Sequence, residues 1–260
     1  MTTVTQPSTV LSAVATAVGS TGVTGDGAYV HTLRDGSVGA CLVDGIGHSE
    51  QITARAALLA EVGARLAGTK GPLHGLLTAA ELIADPGPDD NPEEDAVAVA
   101  AVAHPDRAGI ALAWTGDCAA WSYDPATDTV ERLTTDHTMG EFLRTVHPGG
   151  PPARARHHDD WVRVSLARSS IATVRETETT APLVVLASDG ITKTLGERRL
   201  ATLLSSHGST NGSPQRIADS LLQAAMLCAA DLGGERDDAT VIVLNLSSPA
   251  AECAPPETAS

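Results

Sequence analysis

The stretch AYVHTLRDGSVGACLVDGIGHS, residues 28–49, decides how the rest of the chain is read. Its two β-prone runs, residues 28–34 and 37–43, flank Asp35-Gly36. Asp-Gly between such runs is a favoured two-residue hairpin turn, so the spacing predicts an antiparallel pair. The second run passes directly into Asp44-Gly45, and Ser49 then stands as the N-cap of a helix to about residue 66, filled with Ala and Leu.

Outward from this hairpin, a second helix is expected over 73–84 and a loop over the acidic, Pro-rich 85–95. Residues 96–103, 109–115, 118–123 and 129–133 read as strands, with a turn at Asp124-Pro125. Thr135 or Asp136 is placed to cap a short helix through residue 144. The Pro-, Gly-, Arg- and His-rich residues 147–160 read as a mobile loop. Strands are expected at 171–175 and 183–187, helices at 197–204 and 213–230, and a last strand at 239–246. Strands that come in runs joined by short turns indicate antiparallel sheets with helices packed outside, an α+β domain. No GxGxxG or phosphate loop supports a dinucleotide fold. The domain is expected over 10–246, between a flexible N-terminus (1–9) and a flexible small-residue and Pro-rich tail (247–260).

Composition narrows the partners. Aromatics are 2% of 260 residues, which leaves few stacking platforms for single-stranded nucleic acid. A net charge of -15 repels phosphate backbones, so no nucleic-acid partner is expected. The four cysteines, at 41, 118, 228 and 253, form no CxxC pair and fit a reducing cytoplasm. The N-terminus lacks a positive signal-peptide region, and no apolar run is long enough to span a membrane. A cytoplasmic monomer with no membrane contact is the expectation.

The chemistry lies in aspartates at strand ends beside turn-formers: Asp26 in TGDG, Asp44 in CLVDGIGHS, Asp117 in AWTGDCAAW, Asp189 in VVLASDGIT, and Asp237-Asp238 in GERDDATVIV. Any one of them is more often a turn residue or cap. Held together by a rigid sheet, several carboxylates repel one another, and a divalent cation relieves that repulsion. Oxygen-only ligands select magnesium, manganese or calcium over zinc.

In this order, these pieces resemble the metal-dependent protein phosphatase family, type 2C, in its bacterial branch. VDGIGH (43–48), WTGDCAAW (114–121), LTTDHT (133–138), LASDGITKTL (186–195) and RDDATVIVL (236–244) carry the resemblance. It implies a four-layer α-β-β-α sandwich with two central antiparallel sheets, and two bridging manganese or magnesium ions with a third in some members. Transferred residue by residue, Asp44 would bridge the metals and Gly45 would offer its carbonyl. Asp189 and Asp237 would hold one metal, Asp26 fits the N-terminal acidic element, and Asp117 matches a ligand of the third ion. The implied activity is hydrolysis of phosphoserine or phosphothreonine in a protein by a metal-bridged water, with no covalent intermediate.

Three departures stand out. Thr21 occupies the place of a phosphate-gripping Arg, Ala119 replaces another Arg, and Ile46 stands where animal members carry a proposed acid His. Arg34, Arg55 or an Arg of segment 154–168 is a candidate substitute. His48 is a candidate proton donor beside Asp44, although a helix-start His is the commoner role. His157-His158-Asp159-Asp160 reads as a solvated loop or flap rather than a metal site, His137 as structural, and Trp114, Trp121 and Trp161 as core or flap anchors. Two other classes meet part of this pattern. A phosphoprotein-binding pseudophosphatase is favoured by Thr21 and Ala119 and opposed by the intact acidic set. A structural calcium-binding domain lacks an EF-hand loop.

Overall fold

The computed structural model describes residues 8–84, 95–208, 213–232 and 236–247. It opens with β1 (Thr9–Ala17), followed by the hairpin β2 (Asp26–Thr32) and β3 (Val38–Gly45) and the helices α1 (Glu50–Lys70) and α2 (Pro72–Glu81). Four strands come next: β4 (Ala96–Ala103), β5 (Ile110–Thr115), β6 (Ala119–Asp124) and β7 (Thr129–Arg132). Two short helices, α3 (Met139–Val146) and α4 (Pro152–Arg156), precede β8 (Arg175–Thr179) and β9 (Leu183–Ala187). The helices α5 (Asp189–Gly208) and α6 (Pro214–Leu232) and the strand β10 (Ala239–Ser247) complete the order.

The strands form two antiparallel sheets, ordered β1-β10-β9-β6-β7 and β2-β3-β4-β5-β8. Successive side chains on a strand point to opposite faces, and here both faces are covered. On β3, Ala40 and Leu42 face the other sheet, where they meet Val184, Leu186, Ile242 and Leu244. Cys41 and Val43 face α1 and α2 and pack with Leu59, Ala60 and Leu76. On the far side, Val185 and Val243 pack against Leu200, Leu204, Ile217 and Leu221 of α5 and α6. The result is the four-layer α-β-β-α sandwich, and β4 (AVAVAAVA) is buried along its whole length.

So few aromatics suffice because the layers lie close. The inner face of α1 is Ala56, Ala60, Gly63, Ala64, Ala67 and Gly68, interrupted by Leu59. It rests on the backbone of β3, where a Cβ at Gly39 would lie 2.2 Å from the Ala64 carbonyl oxygen. Small residues gain dispersion energy here through the number of near contacts rather than side-chain size.

Several sequence expectations are corrected. The hairpin turn is longer than two residues: Gly36 N–H donates to Leu33 O, Leu33 N–H donates to Ser37 O, and Gly36 has φ 84°. That is a type I turn closed by a left-handed residue. Residue 9 belongs to β1, which pairs with β10 from Thr9–Ser247 to Ala17–Ala239. The cap of α3 is Thr138, whose hydroxyl accepts from Glu141 N–H, not Thr135 or Asp136. Part of 147–160 is the helix α4. The strand expected at 171–175 lies at Arg175–Thr179. The helix expected from 197 starts at Asp189 and passes through a kink at Gly196. The expectations for 1–7, 85–94 and 248–260 fall outside the described residues. No helix among the described residues is long and apolar enough to cross a membrane.

Candidate active site

One end of the sandwich gathers the acidic residues. Asp44 sits near the end of β3, opposite Asp26 on β2. Asp117 lies in the turn between β5 and β6, Asp189 opens α5 just beyond β9, and Asp237 precedes β10. A Cβ at Gly190 would fall 1.9 Å from the Asp238 carbonyl oxygen, so glycine after Asp189 lets α5 start directly against the base of β10.

A cleft of about 590 Å³ opens here, walled by Asp44, Asp117, Asp189 and Asp237 together with Asp95, Asp160, Ser165 and Lys193. Its rim carries Ile46, Trp161, Arg163 and Arg168. Asp26, Gly45 and His48 are not among the lining residues. Asp26 is buried beneath the cluster and accepts from Ser188 Oγ at 3.0 Å. Gly45 is buried and donates its N–H to Gly25 O. His48 Nδ1 lies 3.7 Å from Asp238.

The adjacent acids of the closing strand divide their roles. Asp238 is buried, and its two oxygens accept from the N–H groups of Gly19 and Gly25, each at 2.6 Å. Asp237 stays exposed on the cleft. Neighbouring residues of an extended segment point to opposite sides, so one of the two pins the β1–β2 loop while the other faces solvent.

Asp26, Asp44, Asp117 and Asp237 hold their protons more tightly than ordinary carboxylates. Burial, then the charges of Asp189, Asp26, Asp117 and Asp237, raise Asp44 well above the ordinary carboxylate range. Burial lifts Asp26 to about 7 against the hydrogen bonds from Thr240 and Ser188. Burial and Asp189 lift Asp117 to about 6, with Lys193 opposing. Asp237 is also raised, by burial and Asp189. Burial would lower Lys193, but the charges of Asp189 and Asp117 outweigh it and keep the ammonium charged.

The segment between β7 and β8 folds over this end. His137 ties this segment to the β5–β6 turn: its Nδ1 accepts from Gly116 N–H at 3.3 Å, its backbone N–H donates to Gly116 O, and its carbonyl accepts from Arg163 N–H. Burial, with Arg175 and Arg163 nearby, lowers His137 to about 4, so the neutral ring keeps its acceptor nitrogen. It also stacks on buried Trp114. Asp95 Oδ1 accepts from the N–H groups of Ala96 and Ala167, tying the segment's far end to β4. Trp161, expected as an anchor, is 56% exposed at the cleft rim. Of the candidate arginines, Arg163 and Arg168 reach the cleft and Arg55 lines a separate hollow under α1. Thr21 Oγ1 donates to Val23 O in the β1–β2 loop, and Ala119 is buried at the start of β6.

Asp95, Arg163, Arg168 and Lys193 carry no individual signal in the sequence, although the 154–168 arginine segment does, and Asp160 stands there only within the 157–160 run read as a solvated loop or flap. Lys193 follows Asp189 by four residues, one helical turn. That signal is readable only once α5 is known to begin at Asp189.

The donor set suits a hard divalent cation: oxygen-only, mutually repelling, partly dry and open to solvent. Asp44, Asp189 and Asp237 are the residues that would hold it. Among the described residues no three His, Cys, Asp or Glu side chains close on one point able to hold an ion. Lys193 stands between Asp117 and Asp189, with Nζ 3.4 and 2.7 Å from their carboxylates.

No family model matches the sequence, and no curated protein matches it. Solved structures do. Serine/threonine phosphatase Stp1 from Staphylococcus aureus is 14% identical with a TM-score of 0.70, covering 91% of this chain and 94% of its own. The Mycobacterium tuberculosis serine/threonine phosphatase PstP/Ppp is 17% identical at TM-score 0.68, covering 92% and 99%. PppA, a key regulatory component of T6SS in Pseudomonas aeruginosa, is 20% identical at TM-score 0.69, covering 92% and 98%. The chain therefore has the α+β sandwich fold of the bacterial serine/threonine phosphatases. That is the fold of the metal-dependent protein phosphatases, type 2C, which the sequence motifs resemble.

Proposed function

We propose that this chain is a metal-dependent serine/threonine protein phosphatase that hydrolyses phosphomonoesters on phosphoprotein substrates. The observation that carries the reading is the meeting of Asp44, Asp189 and Asp237 on one open cleft of a phosphatase fold. Two manganese or magnesium ions are the proposed cofactors, with Asp26 and Gly45 supporting the ligands from below. Bound there, such ions acidify water and neutralise charge on the phosphoryl oxygens. The carboxylates position the ions, and burial keeps competing water from the lower half of the cluster. His48 belongs to the support of Asp238 rather than to proton transfer. The protein acts as a cytoplasmic monomer, with no nucleic acid or membrane in its reaction.

Arg163 and Arg168 supply the substrate-phosphate contact that Thr21 and Ala119 cannot make. They are guanidinium groups at the rim of an otherwise acidic cleft, and guanidinium matches phosphate geometry bidentately. The Arg163 guanidinium lies 4.0 Å over the Phe142 ring, which holds it in place. Arg163→Ala raises KM for a phosphopeptide about tenfold or more, the size of one lost charge-assisted hydrogen bond. An unchanged KM removes Arg163 from phosphate binding.

The overall test is hydrolysis of p-nitrophenyl phosphate and a phosphothreonine peptide with manganese, magnesium, calcium or EDTA. Turnover is expected with manganese and is lost with EDTA and in Asp189→Ala and Asp237→Ala. Absence of turnover with every metal, alongside retained phosphopeptide binding, would replace this reading by the pseudophosphatase. The departures at Thr21 and Ala119 favour that alternative.

A further inference from the structure

Lys193 is surrounded as a metal ion would be. It projects from the second turn of α5, and its Nζ meets Asp189 Oδ2 at 2.7 Å, Asp160 Oδ1 at 2.6 Å and Asp117 Oδ2 at 3.4 Å. The three carboxylates come from α5, the β7–β8 segment and the β5–β6 turn. An ammonium has three donors and no acceptor; Asp160 and Asp189 each accept a hydrogen bond from it, and Asp117 adds an ion pair. Asp117 is buried, and Lys193 is the cation that offsets its charge there. Among the described residues Lys193 forms no ion pair with Asp44 or Asp237.

The ammonium and a divalent ion cannot both occupy the position between Asp117 and Asp189. Nζ lies on Oδ2 of each carboxylate, and two cations at hydrogen-bond separation repel strongly in a partly dry site, so an ion held with Asp44 and Asp237 takes Asp189 only through its other oxygen. We propose that Lys193 is a built-in cation filling the position between Asp117 and Asp189, so that Asp117 is not a metal ligand in this chain. Metal loading is then confined to the Asp44–Asp237 side of the cleft. The third ion that the sequence motifs would allow is replaced by a covalently attached charge. That charge does not dissociate when metal is scarce, and it ties the β7–β8 segment to α5 through Asp160. The inference rests on the proposed metal site and specifies how many ions that site accepts.

The test counts manganese per chain by equilibrium dialysis at millimolar metal, followed by elemental analysis. The proteins are wild type, Asp117→Asn, Lys193→Arg, Lys193→Met and Lys193→Asp, with circular dichroism to confirm folding. Wild type, Asp117→Asn and Lys193→Arg are expected to load the same number of ions. Lys193→Asp gains one ion, and Lys193→Met gains the same ion more weakly. In the double variant Lys193→Asp with Asp117→Asn, the gained ion is lost. A count that falls in Asp117→Asn alone overturns the inference, as does the absence of any gain in both Lys193→Asp and Lys193→Met. A wild type that binds no manganese defeats the metal-dependent reading. The inference is then decided by Lys193→Asp alone: an ion gained there and lost in the double variant upholds it, and no gain overturns it.

Discussion

Asp44→Asn lowers metal-dependent phosphate release by about a thousandfold while making the metal-free protein more stable. The loss follows from removing the central carboxylate of the proposed ion site, where several kcal/mol of transition-state charge stabilisation originate. The gain follows from the electrostatics of the empty cluster. Asp44 is held far above the usual carboxylate range by burial and by four neighbouring aspartates. In the unfolded chain those groups ionise freely near pH 4. A neutral amide of the same shape escapes the repulsion, so the melting temperature in EDTA rises by roughly 3 °C or more. A drop in both activity and metal-free stability would assign Asp44 to structure instead.

The same cluster sets the pH dependence. Asp117 and Asp26 titrate at about 6 and about 7 in the fold. Between pH 4 and 7 the native state therefore binds more protons than the unfolded state, and its stability falls as pH rises. Each such group removes about 1.4 kcal/mol per pH unit inside its window. Melting in EDTA is expected to weaken from pH 5 to pH 8, and saturating manganese flattens the curve by favouring the ionised carboxylates. A pH-independent melting temperature in EDTA would contradict this account.

The second large effect is purely one of packing. Gly39→Ala places a methyl 2.2 Å from the Ala64 carbonyl oxygen and 2.5 Å from Gly68 N, both backbone atoms of α1. Backbone cannot swing aside as a side chain can, so α1 must lift from β3 over several residues. Overpacking of this kind costs about 3 kcal/mol or more, against the 1–3 typical where side chains can adjust. For a domain of this size that corresponds to a fall in melting temperature of roughly 6–12 °C. Gly149→Ala, with open space around the new methyl, serves as the control and shifts stability by less than about 0.5 kcal/mol. Equal effects for the two variants would show that α1 does not depend on close approach to the sheet.

Local signals were strong where one residue type carried one geometry. Ser49 marks the start of α1, with its Oγ accepting from Ile52 N–H, and the apolar runs of β4 and β9 have the bounds their composition announced. The strand β1 was missed because its small, half-exposed residues bear no clear alternation; its partner β10 supplies the order, more than 200 residues away. The start of α5 was missed because Asp189-Gly190 reads locally as a turn. Only contact with β10 shows that the helix begins there.

The sequence by itself determined the antiparallel α+β layering through its apolar runs, its resemblance to the type 2C phosphatases implied the four-layer sandwich, and it named four of the six aspartates that line the cleft. Those are properties of a residue and its near neighbours, set by strand period and turn chemistry. Tertiary structure alone decided that Asp238 clamps the β1–β2 loop and that Arg163 and Arg168 reach the rim. It alone brought Lys193 between Asp117 and Asp189. Electrostatic energy depends on distances between groups that the chain separates by tens of residues, and those distances exist only after the two sheets have packed.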